Sequence, residues 1–153
     1  MAVAVDNDLY TFSTGDAVVG LFRPSQPVGR RFIHLTARDQ AVVELFCEPG
    51  TDFREHADLY ENVITASMGD SCVLTGTLRR YPNLLEPGDR VVACSDGIGP
   101  RGEERGLTRD EIEAVLEEHP GTNAARALVK GQIADLKRDE YQDNIGVVVL
   151  NVR

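Results

Sequence analysis

Two aspartates have the residue type and the neighbours that suit metal chemistry. Asp96 closes the run Val91-Val-Ala-Cys-Ser95 and is followed by Gly97; Asp143 and Asn144 open the run Ile145-Gly-Val-Val-Val149. Both runs are rich in β-branched residues and read as strands. Two carboxylates on the rigid rim of a sheet match a hard divalent cation, Mg2+ or Mn2+, which takes oxygen ligands and keeps several waters. Asp-Gly and Asp-Asn are also common turn dipeptides, in which the aspartate accepts backbone hydrogen bonds with no metal present. Residue type alone leaves both readings open.

Whether the two carboxylates share a rim depends on what lies between the strands at 90–95 and 145–151. Thr108-x-x-Glu111 is a capping box, with Leu107 and Ile112 at the hydrophobic staple positions. Ile112, Val115 and Leu116 follow at helical spacing, and Pro120-Gly121 ends that helix. A second helix starts near Thr122, with Ala125, Leu128, Val129, Ile133 and Leu136 as one apolar stripe. A single crossover helix would make the flanking strands parallel. Two packed antiparallel helices add one reversal, so the strands run antiparallel. The end of the first then meets the start of the last, and Asp96 and Asp143 fall on one edge if the strands are neighbours. The run at 145–151 reads as a buried strand.

The first half reads as shorter pieces. Residues 9–14 alternate, Gly15-Asp16 bends the chain and 17–22 returns, which predicts a hairpin. Pro24 and Pro27 mark a loop before a strand at 31–36. A short helix at 41–48 ends at Pro49-Gly50, a helix at 52–60 leads into an irregular segment, and a strand at 73–80 precedes the turn Glu86-Pro-Gly-Asp89. With 153 residues and no repeat or long linker, a single domain spanning 1–153 is expected. A net charge of −9 argues against nonspecific nucleic-acid binding and against an anionic membrane surface. No apolar stretch approaches the roughly 20 residues that span a bilayer, and the N-terminus has no basic n-region of a signal peptide. Cys47, Cys72 and Cys94 are odd in number and widely spaced, which predicts reduced thiols and a cytoplasmic location.

Taken in order, these segments resemble the PP2C-type (PPM) protein phosphatases. Val91-Val-Ala-Cys-Ser-Asp-Gly-Ile98, a helical pair and Gln142-Asp-Asn-Ile-Gly-Val-Val-Val149 look like the end of that domain. The Gly15-Asp16 bend is similar to the family's strand–Gly-Asp–strand element. Leu35-Thr-Ala-Arg-Asp39 resembles its Leu-Thr-x-Asp-His element, and Glu61-Asn-Val-Ile-Thr-Ala-Ser-Met-Gly69 its Asn-Val-x-Thr-x-x-x-Gly element. Pro87-Gly-Asp-Arg90 matches the turn into the Ser-Asp-Gly strand.

The resemblance implies an α+β fold, an antiparallel β-sandwich flanked by helices, of which this chain is the C-terminal part, truncated at the N-terminus. It further implies two divalent ions, Mg2+ or Mn2+, and hydrolysis of phosphoserine or phosphothreonine in proteins by a metal-activated water. Asp96 and Asp143 match the two late metal-binding aspartates. Asp16 matches the Gly-Asp aspartate that holds a weaker third ion in some members, or serves only its turn. Asn144 and Gly97 would lie behind the ligands.

Several positions depart from the family pattern. The Asp-Gly-x-Gly-Gly loop with its metal-bridging aspartate is absent, Val18 stands where an Arg usually follows, and Asp39-Gln40 replaces Asp-His. Ile98-Gly-Pro100 also lacks an acidic residue often found there. The bridging aspartate and the phosphate-gripping Arg are therefore unassigned, and whether the chain is an enzyme by itself is left open. The competing reading is a catalytically inactive, phosphatase-like binding or regulatory module. Expected partners are a phosphorylated protein, such as a Ser/Thr kinase or its target, and a second copy joined through uncovered sheet. His34, His56 and His119 share no spacing and read as structural, and Cys94 reads as core.

Overall fold

The computed structural model describes residues 1–15, 17–36, 77–95, 98, 107–121, 123–135 and 145–153. Their elements are β1 (Ala2–Val5), β2 (Asp8–Ser13), β3 (Val18–Phe22), β4 (Phe32–His34), β5 (Thr77–Tyr81), β6 (Arg90–Cys94), α1 (Arg109–Glu118), α2 (Asn123–Asp135) and β7 (Val147–Asn151). They form a three-stranded sheet of order β1-β2-β5 and a four-stranded sheet of order β4-β3-β6-β7. Every pairing is antiparallel. The fold is α+β. The predicted helices at 41–48 and 52–60 lie outside the described residues.

Residues 9–22 form no hairpin: β2 and β3 belong to different sheets. Burial explains the difference. In β2 only alternate residues, Leu9, Thr11 and Ser13, are fully buried, as suits a sheet with one covered face. All five residues of β3 are buried, so this strand must sit inside a sheet covered on both sides. Gly15, at φ 72°, stands at the bend that carries the chain from one sheet to the other. The turn that does close a hairpin is Asp6-Asn7, between β1 and β2, with Asp6 at φ 51°. Sequence reasoning passed over it, although both residue types favour tight turns.

Two apolar layers result. One joins the sheets face to face through Leu9 of β2, Val19 and Leu21 of β3, Val91 of β6 and Leu85. The other lies between the four-stranded sheet and the helices, with Val18, Phe22, Phe32 and Val92 packed against Ile112, Leu116 and Leu128. The capping box at Thr108 and Glu111 is present as predicted, and both staple residues, Leu107 and Ile112, are buried. On α2 the buried positions are Ala124, Leu128 and Gln132, so the stripe is rotated from the predicted one and Ile133 is 51% exposed. The rotation has a polar cause: Gln132 Oε1 accepts the Leu107 N–H, which the helix start would otherwise bury unpaired.

Four charged side chains pin the far side of this sheet. Glu113, buried on α1, accepts the N–H groups of Gly29 (2.7 Å) and Phe32 (2.9 Å) and so fixes the entry to β4. Arg90 donates to the Leu116 carbonyl at the end of α1 and lies over the Phe22 ring, 4.8 Å from its centroid. Burial pulls its guanidinium below its ordinary pKa. Arg23 grips Asp89, at 3.0 Å from Nε and 2.7 Å from NH2, and this pairing raises the Arg23 pKa. Asp89, only 1% exposed, also accepts the Glu86 N–H at 2.9 Å and closes the turn into β6.

Candidate functional site

The edge of the four-stranded sheet opposite Arg23 and Arg90 gathers three chain segments. Val18 at the start of β3 pairs with Cys94 at the end of β6, and Cys94 pairs with Val147 at the start of β7. The ladder continues one step past the strands: the Ser95 N–H donates to the Gly146 carbonyl at 2.9 Å, and the Gly146 N–H donates to Ser95 Oγ at 3.0 Å. The strands are thus neighbours and antiparallel, with the end of β6 tied to the start of β7. That was the condition on which the pairing of Asp96 with Asp143 depended. It follows from the helix pair, α1 and α2, between the strands.

Asp96, Gly97, Asp143, Asn144 and Asp16 themselves lie outside the described residues. Their chain neighbours Ser95, Ile145, Gly15 and Ala17 are described, and Ser95 is the residue of this edge that sequence reasoning missed. Its position at a strand end just before Asp-Gly was the available signal. Among the described residues no group of three His, Cys, Asp or Glu side chains could hold a metal ion. His34 is exposed on β4 with its ring edge-on to Phe32 at 5.1 Å, and His119 caps the end of α1; neither lies at this edge. Cys94 is buried beneath Ser95. His56, Cys47 and Cys72 are outside the described residues.

An open groove of about 810 Å³ runs between the two sheets at this edge. Its walls include Thr14 and Phe12 from the three-stranded side and Val18, Ser95, Gly146 and Val148 from the four-stranded side. Among the described residues, the buried hydroxyls of Thr11 and Thr14 have no hydrogen-bond partner. Buried hydroxyls are seldom left so. Arg23 and Arg90 are committed at the other edge, so neither is placed to grip a phosphoryl group here. No described helix is long and apolar enough to cross a membrane.

No family model and no curated protein matches the sequence. Solved structures do match. The chain is similar to the S. agalactiae serine/threonine phosphatase, with 24% identity and a TM-score of 0.76, over 99% of this chain and 57% of that one. It is also similar to the Mycobacterium tuberculosis serine/threonine phosphatase PstP/Ppp, with 21% identity and a TM-score of 0.72, over 99% and 57%. A structure of the catalytic domain of serine/threonine phosphatase PstP in complex with two manganese ions matches at 22% identity and a TM-score of 0.63, over 97% of this chain and 55% of that one. The chain thus has the fold of PPM-type serine/threonine phosphatases and spans a little over half the length of those it matches.

Proposed function

We propose that this chain is the metal-ligand-bearing later part of a PP2C-type protein phosphatase domain, acting on phosphoserine or phosphothreonine in proteins. The observation that carries the reading is the joined end of β6 and start of β7, with the Ser95–Gly146 hydrogen bonds at the root of the two aspartate-bearing segments. Asp96 and Asp143 would hold the divalent ions, Mg2+ or Mn2+, with Asp16 a further candidate from the Gly15 bend. Hard cations favour such carboxylate oxygens. When bound, the ions would offset charge on the phosphoryl group and lower the pKa of water. Asn144 and Gly97 would hold the ligands in place from behind, and Ser95 keeps the two strand ends in register. The manganese-containing phosphatase with the same fold supports the choice of metal. The substrate class comes from the same likeness: a phosphoprotein, such as a kinase or a protein a kinase has modified. A cytoplasmic location fits the sparse cysteines.

The test is phosphate release from a phosphothreonine peptide in Mn2+, by the chain and by the longest open reading frame that contains it. The reading expects release that is lost on chelation and in Asp143→Asn, with circular dichroism unchanged. Release indifferent to chelator and to that substitution, or none from either protein, would refute it and leave the inactive binding module as the better account.

A further inference from the structure

Three arginines lie on the described strands, and two of them are occupied. Arg90 on β6 turns to the helix side and donates to the Leu116 carbonyl. Arg80 on β5 donates to Asp8 at 2.8 Å and sits over the Tyr10 ring. Arg79, its neighbour on β5, is exposed and has no carboxylate or carbonyl partner among the described residues. On a protein of net charge −9, a guanidinium without such a partner is a local seat for an anion.

Strand register fixes which way Arg79 faces. It pairs with Thr11, while Tyr81 pairs with Leu9. Thr11 and Leu9 are buried on the inner side of the three-stranded sheet, and Tyr81 packs into the layer between the sheets. Residues paired across a ladder share a face, so Arg79 stands on the inner face and Arg80 on the outer. The Tyr81 hydroxyl donates to the Leu35 carbonyl, which stacks β5 over the chain leaving β4. From Tyr81 the strand leads back through Arg79 to Thr77, the partner of Ser13. Ser13 lines the open groove and leads through the Gly15 bend into β3. Arg79 therefore lies on the candidate-site side of the Tyr81–Leu35 contact, in the mouth between the sheets.

In the order β4-β3-β6, the strand beneath β5 is two ladder steps from β6, about 10 Å at the usual strand spacing. An extended peptide advances about 3.3 Å per residue, so one whose phosphorylated residue sits at the end of β6 reaches the Arg79 side about three residues away. We propose that Arg79 is a specificity-determining residue, whose guanidinium pairs with an Asp or Glu side chain about two to four positions from the phosphorylated residue of the substrate. A planar guanidinium meets a carboxylate through two parallel hydrogen bonds, a match that a point charge lacks. The proposal rests on the phosphatase reading for the position of the peptide, and goes beyond it in naming the substrate sequence that is selected.

Two phosphothreonine peptides test it, one with Asp at the second to fourth positions on both sides of the phosphothreonine and one with Ala there. Fluorescence anisotropy with the 153-residue protein in Mn2+ reads binding, and phosphate release by the longest open reading frame that contains it reads turnover. The acidic peptide should bind about fivefold tighter, which is the scale of an exposed ion pair, and added salt should narrow the gap. Arg79→Ala should abolish the preference with circular dichroism unchanged. Arg80→Ala, which removes the same charge from the opposite face, should leave it intact. Equal binding of the two peptides, a preference that survives Arg79→Ala, one lost equally in Arg80→Ala, or no binding of either peptide would each overturn the proposal. A preference that depends on Arg79 without phosphate release would uphold the contact and count against the phosphatase reading alone; release with equal binding would do the reverse.

Discussion

Replacing Gly20 with alanine should destabilise the protein, although alanine in a strand interior is ordinarily better than glycine by roughly 0.5–1 kcal/mol. Gly20 lies mid-strand in β3, paired with Val92 on one side and His34 on the other. A Cβ there would come within 2.2 Å of Phe32 Cζ and 2.6 Å of Cε2. Relaxed carbon contacts begin near 3.5 Å, so the ring must retreat by more than about 1 Å. It has little room to do so. Phe32 is 1% exposed, its backbone N–H is held by Glu113, and its ring belongs to the layer shared with α1. Overpacking of this kind costs about 1–3 kcal/mol, which outweighs the gain in backbone entropy and leaves a net loss of roughly 1–2 kcal/mol. Urea unfolding followed by far-UV circular dichroism reads this as a midpoint lower by about 0.5–1 M, for an m-value of about 2 kcal/mol/M. In a Phe32→Leu background the same substitution should cost less, because the two side chains share one space. A Gly20→Ala protein as stable as the parent, or a cost unchanged in the Phe32→Leu background, would refute the packing argument.

Asp89→Ala should cost about 3–5 kcal/mol, because it strands Arg23 and frees the Glu86 N–H, while Arg23→Met with Asp89→Leu should recover most of that loss; urea midpoints of the three variants decide it, and a single-variant cost below about 1 kcal/mol would count against a buried latch. Glu113→Gln should lower stability by about 1–3 kcal/mol, since one of the two N–H groups from Gly29 and Phe32 would then face an amide donor; a thermal melt shows it. Hydrogen bonds from the Thr108 backbone and hydroxyl hold Glu111 below its ordinary 4.5, and the Asn83 N–H followed by Arg80 does the same for Asp8. Both carboxylates stabilise the fold fully above their unfolded values and lose that effect as pH falls through the lowered ones. The stability gap between the parent and Glu111→Gln should therefore close on acidification from neutral pH, and a gap that persists in acid would sink the assignment.

Much of the second half could be read directly. The capping box, the staple and the Pro120-Gly121 stop are local signals, and α1 obeys them residue by residue. The antiparallel relation of β6 to β7 needed only the parity of two intervening helices. The misreadings of strands share one cause, which is that a strand's partner is not a local property. Leu9 to Phe22 has the look of a hairpin because two apolar runs flank a Gly-Asp bend, yet β3 is apolar on both faces and could not be satisfied beside β2. The run at 145–151 reads as buried because it is β-branched throughout; whether its inner face is covered depends on how far the opposite sheet extends, which its own residues do not encode. On α2, Gln132 displaced Ile133 from the buried face because an unpaired N–H at Leu107 outweighs an exposed isoleucine. At the candidate site, Asp96 and Asp143 were legible as types and Ser95 was not, since its role is to bridge two strands.

The division of labour between the two sides of the four-stranded sheet bears on how the site could work. On its helix side the polar groups of Glu113, Arg90 and Gln132 all have partners, and the core is continuous from Val18 to Leu128. The ladder between β6 and β7, extended by the Ser95–Gly146 hydrogen bonds, sets their register at the roots of both aspartate-bearing segments. Sites built on such rigid elements need little rearrangement to bind. The side toward the three-stranded sheet is open at the same edge, where the Thr14 hydroxyl has no partner among the described residues and Val148 is exposed. Two carboxylates alone bind a hydrated dication weakly, because it surrenders water reluctantly. On the proposed metal reading, the open groove on the side toward the three-stranded sheet would leave room for further oxygen donors, whereas the described helix side is filled by core side chains.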